Sequence, residues 1–403
     1  MKVLFIHQSF PGQFIHLSRH LAADGKNKVV ALGMADNLVP SGVEYRRYQL
    51  LRKQSELMHP LLVDQEIKVL RAEACTAAMM KLKAEGFVPD VVIAHPGWGE
   101  SLFVKEVFPR TRLIVYCEFY YATEGLDIDF DPEMPAPSFQ QRCQLRMRNA
   151  INLLSIEAAD MGIAPTQWQK SVWPEFVQHK IQVIHDGIDT AQLKFDPTAS
   201  IRLGANEYHP ELELSKDVPV FSYMARNLEP VRGFHIFMRT LPEVLRQCPD
   251  AHALIIGGDG ISYGSPPEEG GNWKEKMLRE LDGQLDMSRV HFVGQVPYSV
   301  WLKTLSITRV HCYWTTPFVL SWSLLEAALA GVPVVASDTA PLEEYRDRLE
   351  IDLIDFFNKA SFAEQIIERV STFVRFDVRP HVGNSIAIQS SISLISDVLG
   401  SDA

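Results

Sequence analysis

SWSLLEAALAGVPVVASD, the stretch from Ser321 to Asp338, decides the fold because it joins a short helix directly to a buried strand. The apolar and small residues after Ser323 predict a helix, Gly331 ends it, and Pro333 opens an apolar strand. A helix followed at once by such a strand is typical of a parallel sheet that helices cover on both faces.

The same alternation of apolar strands and amphipathic helices occurs in two separate stretches of the chain. Between them, residues 191 to 217 are polar and without clear period, and we interpret them as an interdomain connection. The sequence therefore predicts two doubly wound α/β domains, 1–190 and 218–382, with ligands in the cleft that faces the carboxyl ends of both sheets. The predicted strands are KVLFIH, KVVALGM, DVVIAHP, RLIVYCEF, GIAPT and IQVIHDGI in the first stretch, and PVFSYMA, AHALIIGG, RVHFVGQV, RVHCYW, PVVASD and IDLIDF in the second.

The composition is that of an ordinary globular protein, with 46% hydrophobic and 22% charged residues among 403. The net charge of -11 argues against broad binding to nucleic acids, which requires a basic surface. Two short basic stretches, around Arg46 and around Arg142, are interpreted as solvated faces, with an anionic acceptor or a membrane surface as the alternative.

The termini and cysteines bear on the cellular compartment. The apolar run in MKVLFIH is too short for a signal peptide, and no stretch approaches the roughly 20 apolar residues of a membrane helix. The five cysteines are scattered without a CxxC pair, which favours a reducing cytosol and argues against a structural zinc site. We expect a cytoplasmic protein and leave peripheral membrane contact open.

A second pattern, ARNLEPVRGF from Ala225 to Phe234, directly follows a predicted strand and precedes a predicted helix. Arg226 and Arg232 therefore project from a loop at the carboxyl edge of the sheet, where two fixed cations can neutralise a diphosphate without a metal ion. The alternative is that both arginines are solvated or paired with surface carboxylates.

The helix after Ser321 offers backbone N–H groups near Leu324 at the same edge, and such an N-terminus suits a diphosphate. Glu326, in the first turn, is either an acceptor for ribose hydroxyl groups or, with Ser323, part of a capping box.

Two residues of the first domain also lie at the carboxyl ends of predicted strands. Gly12 follows the first strand and allows the backbone to approach a ligand closely, but FPGQF is not the GxGxxG fingerprint, which disfavours a nicotinamide enzyme. His95 ends the strand DVVIAHP, so it is either a residue of the site or a structural histidine.

Together these features resemble the glycosyltransferase family 4 group, which contains retaining transferases of the GT-B fold. The resemblance covers most of the chain: the Gly12 loop, the strand ending at His95, VIHDGIDT, the arginine loop, IIGGDG, HFVGQV and LLEAALAGVPVVASD. It implies two Rossmann-like lobes and a nucleotide held mainly by the second lobe. It also implies a C-terminal helix, at about 383–403, that returns to the first lobe.

By this resemblance, Arg226 and Arg232 correspond to the family's arginine and lysine on the donor phosphates, and Arg232 keeps the charge with a different geometry. His95 corresponds to the histidine beside the donor sugar. Glu326 corresponds to the second glutamate of the family's motif of two glutamates eight positions apart. The remaining predicted site residues are, on the donor side, Gly12, Val296, Phe318, Leu320, Ser321, Ser323 and Leu324, and, on the acceptor side, Glu118 and Tyr120.

One position departs from the family pattern. The first glutamate of that motif, which contacts hydroxyl groups of the donor hexose, is replaced by Phe318, and the glycine-rich turn after it by VLSWS. A ring at the sugar would suit a deoxy or acetamido sugar, because a phenylalanine cannot pair with a hydroxyl group. Alternatively Phe318 packs in the core and Ser321 or Ser323 contacts the sugar.

We therefore expect a retaining, metal-independent transfer of a sugar from a UDP- or GDP-linked donor to a glycan, lipid-linked or small-molecule acceptor, in polysaccharide or glycoconjugate biosynthesis. No cofactor is expected, and the acidic run from Asp127 to Asp131 is assigned to the acceptor side or to structure. One alternative is a non-catalytic nucleotide-sugar-binding protein, which Phe318 favours and the two retained arginines disfavour. The other is a nucleotide-sugar epimerase.

Overall fold

The chain forms two α/β units in the computed structural model, which describes residues 1–377 and 383–400. The first unit comprises Met1–Gly187 with Val382–Ala403, and the second comprises Ile188–His381. The ends of the predicted second domain and of the predicted C-terminal helix, 378–382 and 401–403, lie outside the described residues.

The first unit is built on a seven-stranded parallel sheet in the order β3-β2-β1-β4-β5-β6-β7. Its central strands are buried because every side chain after their first residue is apolar, which is the pattern of a sheet covered on both faces. The strands are β1 (Lys2–Ile6), β2 (Lys28–Gly33), β3 (Glu44–Arg47), β4 (Val91–Ala94), β5 (Arg112–Tyr116), β6 (Met161–Ala164) and β7 (Ile181–Val183). Its helices before β7 are α1 (Ile15–Ala23), α2 (Val63–Ala84), α3 (Val104–Val107), α4 (Phe139–Ala158), α5 (Gln167–Ser171) and α6 (Glu175–Gln178).

The second unit has a six-stranded parallel sheet in the order β12-β11-β10-β13-β14-β15, the doubly wound order of Rossmann-like domains. The strand orders of the two parallel sheets confirm the predicted fold class of two doubly wound domains. The strands are β8 (Ser200–Leu203), β9 (Leu212–Ser215), β10 (Val220–Asn227), β11 (His252–Gly258), β12 (Val290–Gly294), β13 (Thr308–Tyr313), β14 (Val334–Ser337) and β15 (Ile351–Ile354). The helices are α7 (Phe234–Gln247), α8 (Trp273–Glu280), α9 (Tyr298–Ile307), α10 (Trp322–Leu329), α11 (Ala340–Glu343) and α12 (Lys359–Val370).

The segment 191–217, which we interpreted as a connection, belongs to the second unit. Within it β8 and β9 form an antiparallel hairpin that buries Leu214 against Leu254 of the sheet. The pattern was missed because both strands are short and their other face is polar, as at Arg202 and Glu213, so little apolar periodicity remains.

The basic stretch around Arg46 lies in the edge strand β3, which the sequence prediction also missed. Arg46 is exposed and forms an ion pair with Glu85 at 3.2 Å. Arg142 is likewise exposed, on α4. A charged edge strand is a common protection against unwanted strand pairing.

The last helix, α13 (Asn384–Gly400), completes the first unit. Its residues Leu394 and Ile395 are 1% and 3% exposed and belong to the same core cluster as Phe5 and Ile114 of the sheet. Residues at the end of the chain therefore cover apolar surface formed at its beginning. Among the described residues no helix is both long and apolar enough to span a membrane.

Leu394→Ala is expected to lower the free energy of unfolding by about 2–5 kcal/mol, because it leaves a cavity in the core of the first unit. Leu399→Ala removes the same atoms from a position 37% exposed on the same helix, and is expected to cost about 0.5 kcal/mol or less. Urea denaturation followed by circular dichroism measures both. Equal costs would contradict the anchoring of α13 through its buried face.

Candidate functional site

Arg232 is a buried cation at the carboxyl edge of the second sheet. It ends a short 3₁₀ turn, Pro230–Arg232, between β10 and α7, and is 8% exposed. Its Nη1 donates to the carbonyl of Val319 at 2.8 Å and to the hydroxyl of Thr315 at 3.1 Å. Within the described part of the chain no carboxylate pairs with this guanidinium, so neutral groups alone compensate its desolvation.

The hydroxyl of Tyr313 joins Arg232 to the start of α10. Tyr313 is 2% exposed at the end of β13; it accepts from Nη1 of Arg232 at 3.3 Å and from the backbone N–H of Ser321 at 2.8 Å. Ser321 is in turn the N-cap of α10, and its hydroxyl accepts from the N–H of Ser323 at 3.3 Å. The arginine loop and the N-terminus of α10 are thereby held at fixed positions.

Phe318 packs against this arginine. The side chain is 4% exposed, and its ring centroid lies 5.3 Å from the guanidinium carbon of Arg232 and 4.7 Å from the ring of Tyr263. Tyr263 lies at the same 5.3 Å from the guanidinium, so two rings contribute cation–π attraction to one buried charge. This burial favours the interpretation that Phe318 belongs to the core.

Glu229 is a further buried residue of the arginine loop, which the sequence reasoning missed. Its carboxylate is fully buried and accepts from three successive backbone N–H groups, those of Ser262 at 3.2 Å, Tyr263 at 3.2 Å and Gly264 at 2.9 Å. Glu229 thus fixes the loop after β11 and keeps Tyr263 beside Arg232. The available signal was a glutamate between the two arginines.

Glu326 is bound by α9 and does not form the alternative capping box. It is 7% exposed, and its two oxygens accept from the hydroxyl of Tyr298 at 3.0 Å and from Nε1 of Trp301 at 2.7 Å. Burial raises the pKa of Glu326, although the hydrogen bonds from Trp301 and Tyr298 oppose this. The capping interpretation is wrong because the N-cap is Ser321 and not Ser323.

The other donor-side residues of the second unit lie near the same edge of the sheet. Arg226 is the next-to-last residue of β10 rather than part of the predicted loop, and Leu324 belongs to α10. Arg226 is exposed, and its carbonyl accepts from Nε2 of Gln295 at 3.4 Å. Val296 follows β12, and Leu320 lies between β13 and α10; both are partly buried. Leu324 is buried, and its N–H donates to the carbonyl of Ser321 at 3.3 Å, so this amide is less available than the sequence suggested.

In the first unit, His95 lies directly after β4 and is 3% exposed. Its Nδ1 accepts from the N–H of Gly97 at 3.1 Å, which puts the proton of the neutral ring on Nε2. Nε2 lies 3.4 Å from Oε2 of Glu118, within ion-pair distance but outside good hydrogen-bond geometry. The ring stacks on Trp98 with centroids 4.2 Å apart.

A chain of hydrogen bonds reaches Glu118 from His7, a residue that the sequence reasoning missed. Nδ1 of His7 accepts from the N–H of Ser9 at 3.0 Å, so Nε2 carries the proton and donates to Oε1 of Gln13 at 2.8 Å. The amide nitrogen of Gln13 then donates to Glu118 at 2.8 Å. The position of His7 directly after β1 was the available signal, as for His95.

The two histidines also set the charge of this cluster. Burial, assisted by the nearby His95, lowers the pKa of His7 to about 3, so His7 is neutral at physiological pH. Burial by itself would raise the pKa of Glu118, but His95, His7 and Gln13 lower it below its ordinary value. Glu118 is therefore an ionised carboxylate beside His95.

Gly12 lies directly against the ring of His7 in this cluster, whereas the ring contact of Tyr120 is with Trp173. Gly12 has φ +48°, and a Cβ there would lie 2.5 Å from the ring of His7, so only glycine fits. Tyr120 packs on Trp173 at a centroid distance of 5.5 Å. A cavity of about 30 Å³ lined by His95, Glu118 and Trp173 adjoins the cluster.

The acidic run from Asp127 to Asp131 has at least one structural role. Asp131 is buried, and its carboxylate accepts from the N–H of Glu133 at 2.9 Å. Over the described residues no group of three or more histidine, cysteine or acidic side chains could hold a metal ion.

Both units match known protein families. Residues 25–193 match the glycosyl transferase family 4 group, and residues 218–371 match the glycosyl transferases group 1. The two matches together cover most of the chain. The chain therefore belongs to the GT-B glycosyltransferases of the family 4 type.

One curated relative is the phosphatidyl-myo-inositol mannosyltransferase of Mycolicibacterium smegmatis, 31% identical over 121 residues, which are 29% of this chain. That match spans about a quarter of the relative's length, 26%. Similar solved structures include sucrose-phosphate synthase from Thermosynechococcus elongatus, with a TM-score of 0.61, 14% identity and full coverage of both chains. A putative UDP-N-acetylglucosamine 2-epimerase from Listeria monocytogenes has a TM-score of 0.54 at 14% identity, covering 98% of this chain and 96% of its own. At these identities the structures establish the fold alone.

The low pKa of His7 predicts acid sensitivity. Its pKa is near 6.5 in the unfolded chain and about 3 in the folded one, so between these values the unfolded state binds one more proton. The free energy of unfolding should therefore fall as pH falls, by about 2 kcal/mol from about pH 7 to about pH 5 for this residue. His7→Gln should remove that share of the loss in urea denaturation, and His20→Gln, exposed on α1, should not. Identical pH slopes for His7→Gln and the wild type would contradict the assignment.

Proposed function

We propose that this chain transfers a sugar, with retention of configuration and without a metal ion, from a nucleotide diphosphate sugar to a glycan, lipid-linked or small-molecule acceptor. The donor is UDP- or GDP-linked, and the reaction belongs to polysaccharide or glycoconjugate biosynthesis. The single observation that carries the proposal is Arg232, a buried guanidinium that no carboxylate of the described chain neutralises.

A diphosphate is the anion that this arrangement suits. Charge-assisted hydrogen bonds from a guanidinium to phosphate oxygens are among the stronger polar interactions, and a preorganised cation stabilises a leaving group without reorganising. Arg226, exposed at the carboxyl end of β10, supplies the second cation. The N-terminal end of α10, held through Tyr313, faces developing negative charge with the favourable end of its dipole.

His95 is the proposed sugar-side residue of the first unit, and Glu118, which was predicted on the acceptor side, lies beside it. His95 orients the donor sugar, and the ionised Glu118 stabilises positive charge that develops on the imidazole or on the sugar. In a retaining transfer with front-face attack, the leaving diphosphate accepts the proton of the acceptor hydroxyl. The protein then acts mainly through positioning and charge stabilisation.

The ring of Phe318 is packed on Arg232 and Tyr263, so residues next to Phe318 contact the donor sugar in its place. Ser321 and Ser323, whose hydroxyls lie 2.9 Å apart, are the proposed partners of its hydroxyl groups. The mannosyltransferase relative favours a hexosyl donor among the alternatives.

Arg226→Ala is expected to lower the rate of donor turnover by about 10²–10³-fold, since it removes a cation that matters most while the leaving group becomes charged. Arg232→Ala should lower the rate of donor turnover by at least as much. Because Arg232 is buried, this substitution is also expected to lower the free energy of unfolding. The measurement is release of the nucleoside diphosphate together with the thermal shift caused by UDP and GDP. Arg246→Ala, an exposed arginine on α7 paired with Glu243, is the control. Normal turnover in a folded Arg226→Ala protein would remove that residue from the site.

Turnover should be unaffected by EDTA, because the two arginines neutralise the diphosphate that a divalent ion neutralises in other transferases. The assay compares initial rates with excess EDTA and with added magnesium or manganese. Activity that EDTA abolishes and magnesium restores would overturn the metal-independent mechanism but not the assignment of a transferase.

The same assay separates the alternatives. Binding of a nucleotide sugar without turnover for any member of an acceptor panel would indicate the non-catalytic protein. Conversion of the donor into another sugar nucleotide in the absence of an acceptor would indicate an epimerase.

A further inference from the structure

A groove of about 480 Å³ lies along β12, the edge strand of the second sheet. The loop of the β8–β9 hairpin forms one wall, α8 forms another, and Val290 to Val293 form its floor. None of the candidate donor-site residues lines it. The groove is therefore separate from the site proposed for the nucleotide.

The groove is basic in a chain whose net charge is -11. Arg202, Lys274 and two histidines line it, and no aspartate or glutamate does among the described residues. The nearest acidic partners of the two cations, Glu213 at 3.5 Å from Arg202 and Asp259 at 3.6 Å from Lys274, are not lining residues. The remaining walls include Leu203, Leu278, Met287 and Phe292.

A buried histidine in the floor of the groove has an unpaired ring nitrogen. His291 is 4% exposed; its Nε2 lies 2.9 Å from Nδ1 of His252, and its Nδ1 has no hydrogen-bond partner within the described residues. Buried polar atoms are nearly always paired, so this nitrogen lacks the partner that a ligand would supply.

The neighbouring His209 is, in contrast, fully engaged. Its Nδ1 donates to the carbonyl of Pro210 at 2.7 Å, and its Nε2 accepts from the amide of Asn206 at 3.0 Å. Its ring meets that of His291 edge to face at 4.9 Å. These hydrogen bonds hold His209 within the hairpin loop. Of the two histidines that line the groove, His291 is therefore the one with a ring nitrogen left to form a hydrogen bond.

We propose that this groove is a second ligand site, which binds a small organic oxyanion with an apolar body, such as a phosphate monoester, a sulfonate or a carboxylate. Lys274 and Arg202 bind the charge, Nδ1 of His291 bonds to an oxygen, and Leu278 and Phe292 cover the apolar body. The ligand is distinct from the sugar donor, so the site stands whether or not the chain is a transferase.

Ligand binding in this groove is coupled to protonation of His291. His291 faces His252 from β11 and His209 from the hairpin, and Arg289 and Asp286 act in opposite directions on His252. Burial is the main cause that lowers the pKa of His291 to about 4, and the neighbouring His252 and His209 lower it further. A bound anion offsets these effects and raises that pKa, so the complex takes up a proton and the affinity rises as pH falls.

Benzenesulfonate is a suitable probe because its charge does not change near neutral pH, and benzenesulfonamide is a neutral molecule of the same shape. By isothermal titration calorimetry of the full chain in low salt, we expect the sulfonate to bind at least about tenfold more tightly than the sulfonamide. Its affinity should rise from about pH 8 to about pH 5.

Lys274→Ala should weaken sulfonate binding about tenfold, whereas Lys276→Ala should leave it unchanged. Lys276 is on the same helix but pairs with Glu269 at 3.3 Å and does not line the groove. His291→Gln should bind with little pH dependence. The proposal fails if the sulfonate does not bind, if the two lysine variants bind equally, or if wild-type affinity is independent of pH. If His291→Gln does not fold, the comparison of Lys274→Ala with Lys276→Ala and the pH dependence of wild-type binding still test the proposal.

Discussion

The second unit is organised around one electrostatic constraint, a guanidinium withdrawn from water without a carboxylate to balance it. Arg232 is stabilised by hydroxyl and carbonyl oxygens on β13 and the loop after it, and by the faces of Tyr263 and Phe318. Each of these partners must itself be held, which explains the buried Glu229 beneath the Tyr263 loop. A buried cation satisfied only by neutral groups is costly, and a bound polyanion relieves that cost.

The first unit also holds a charged side chain in place through neighbouring groups, in this case the ionised carboxylate of Glu118. Glu118 is held between Gln13 and His95, and His7 fixes Gln13 while remaining neutral. Because all strands are parallel, the residues after β1, β4 and β5 meet at one edge of the sheet. Topology brings them together, and the backbone N–H groups that donate to Nδ1 of His7 and of His95 direct Nε2 of each ring toward its side-chain partner.

Much of the architecture could be predicted from the sequence, because strands buried on both faces leave unbroken apolar runs such as KVLFIH. The short hairpin of 200–215 and the edge strand β3 leave no such run, and both were missed. Likewise, position relative to a strand end identified His95 and Arg232, but the partners of Glu326 and the packing of Phe318 are tertiary. No local pattern indicates that Trp301 donates to Glu326, because the two residues meet only after α9 and α10 pack.

The position of α13 has a consequence for synthesis on the ribosome. All strands of the first sheet have been translated by Val183, yet the apolar surface that includes Phe5 and Ile114 is covered by residues 384–400. The whole second unit is translated in between and is free to fold first. For that interval the nascent first unit carries an uncovered apolar face, the kind of surface that chaperones bind and that promotes aggregation.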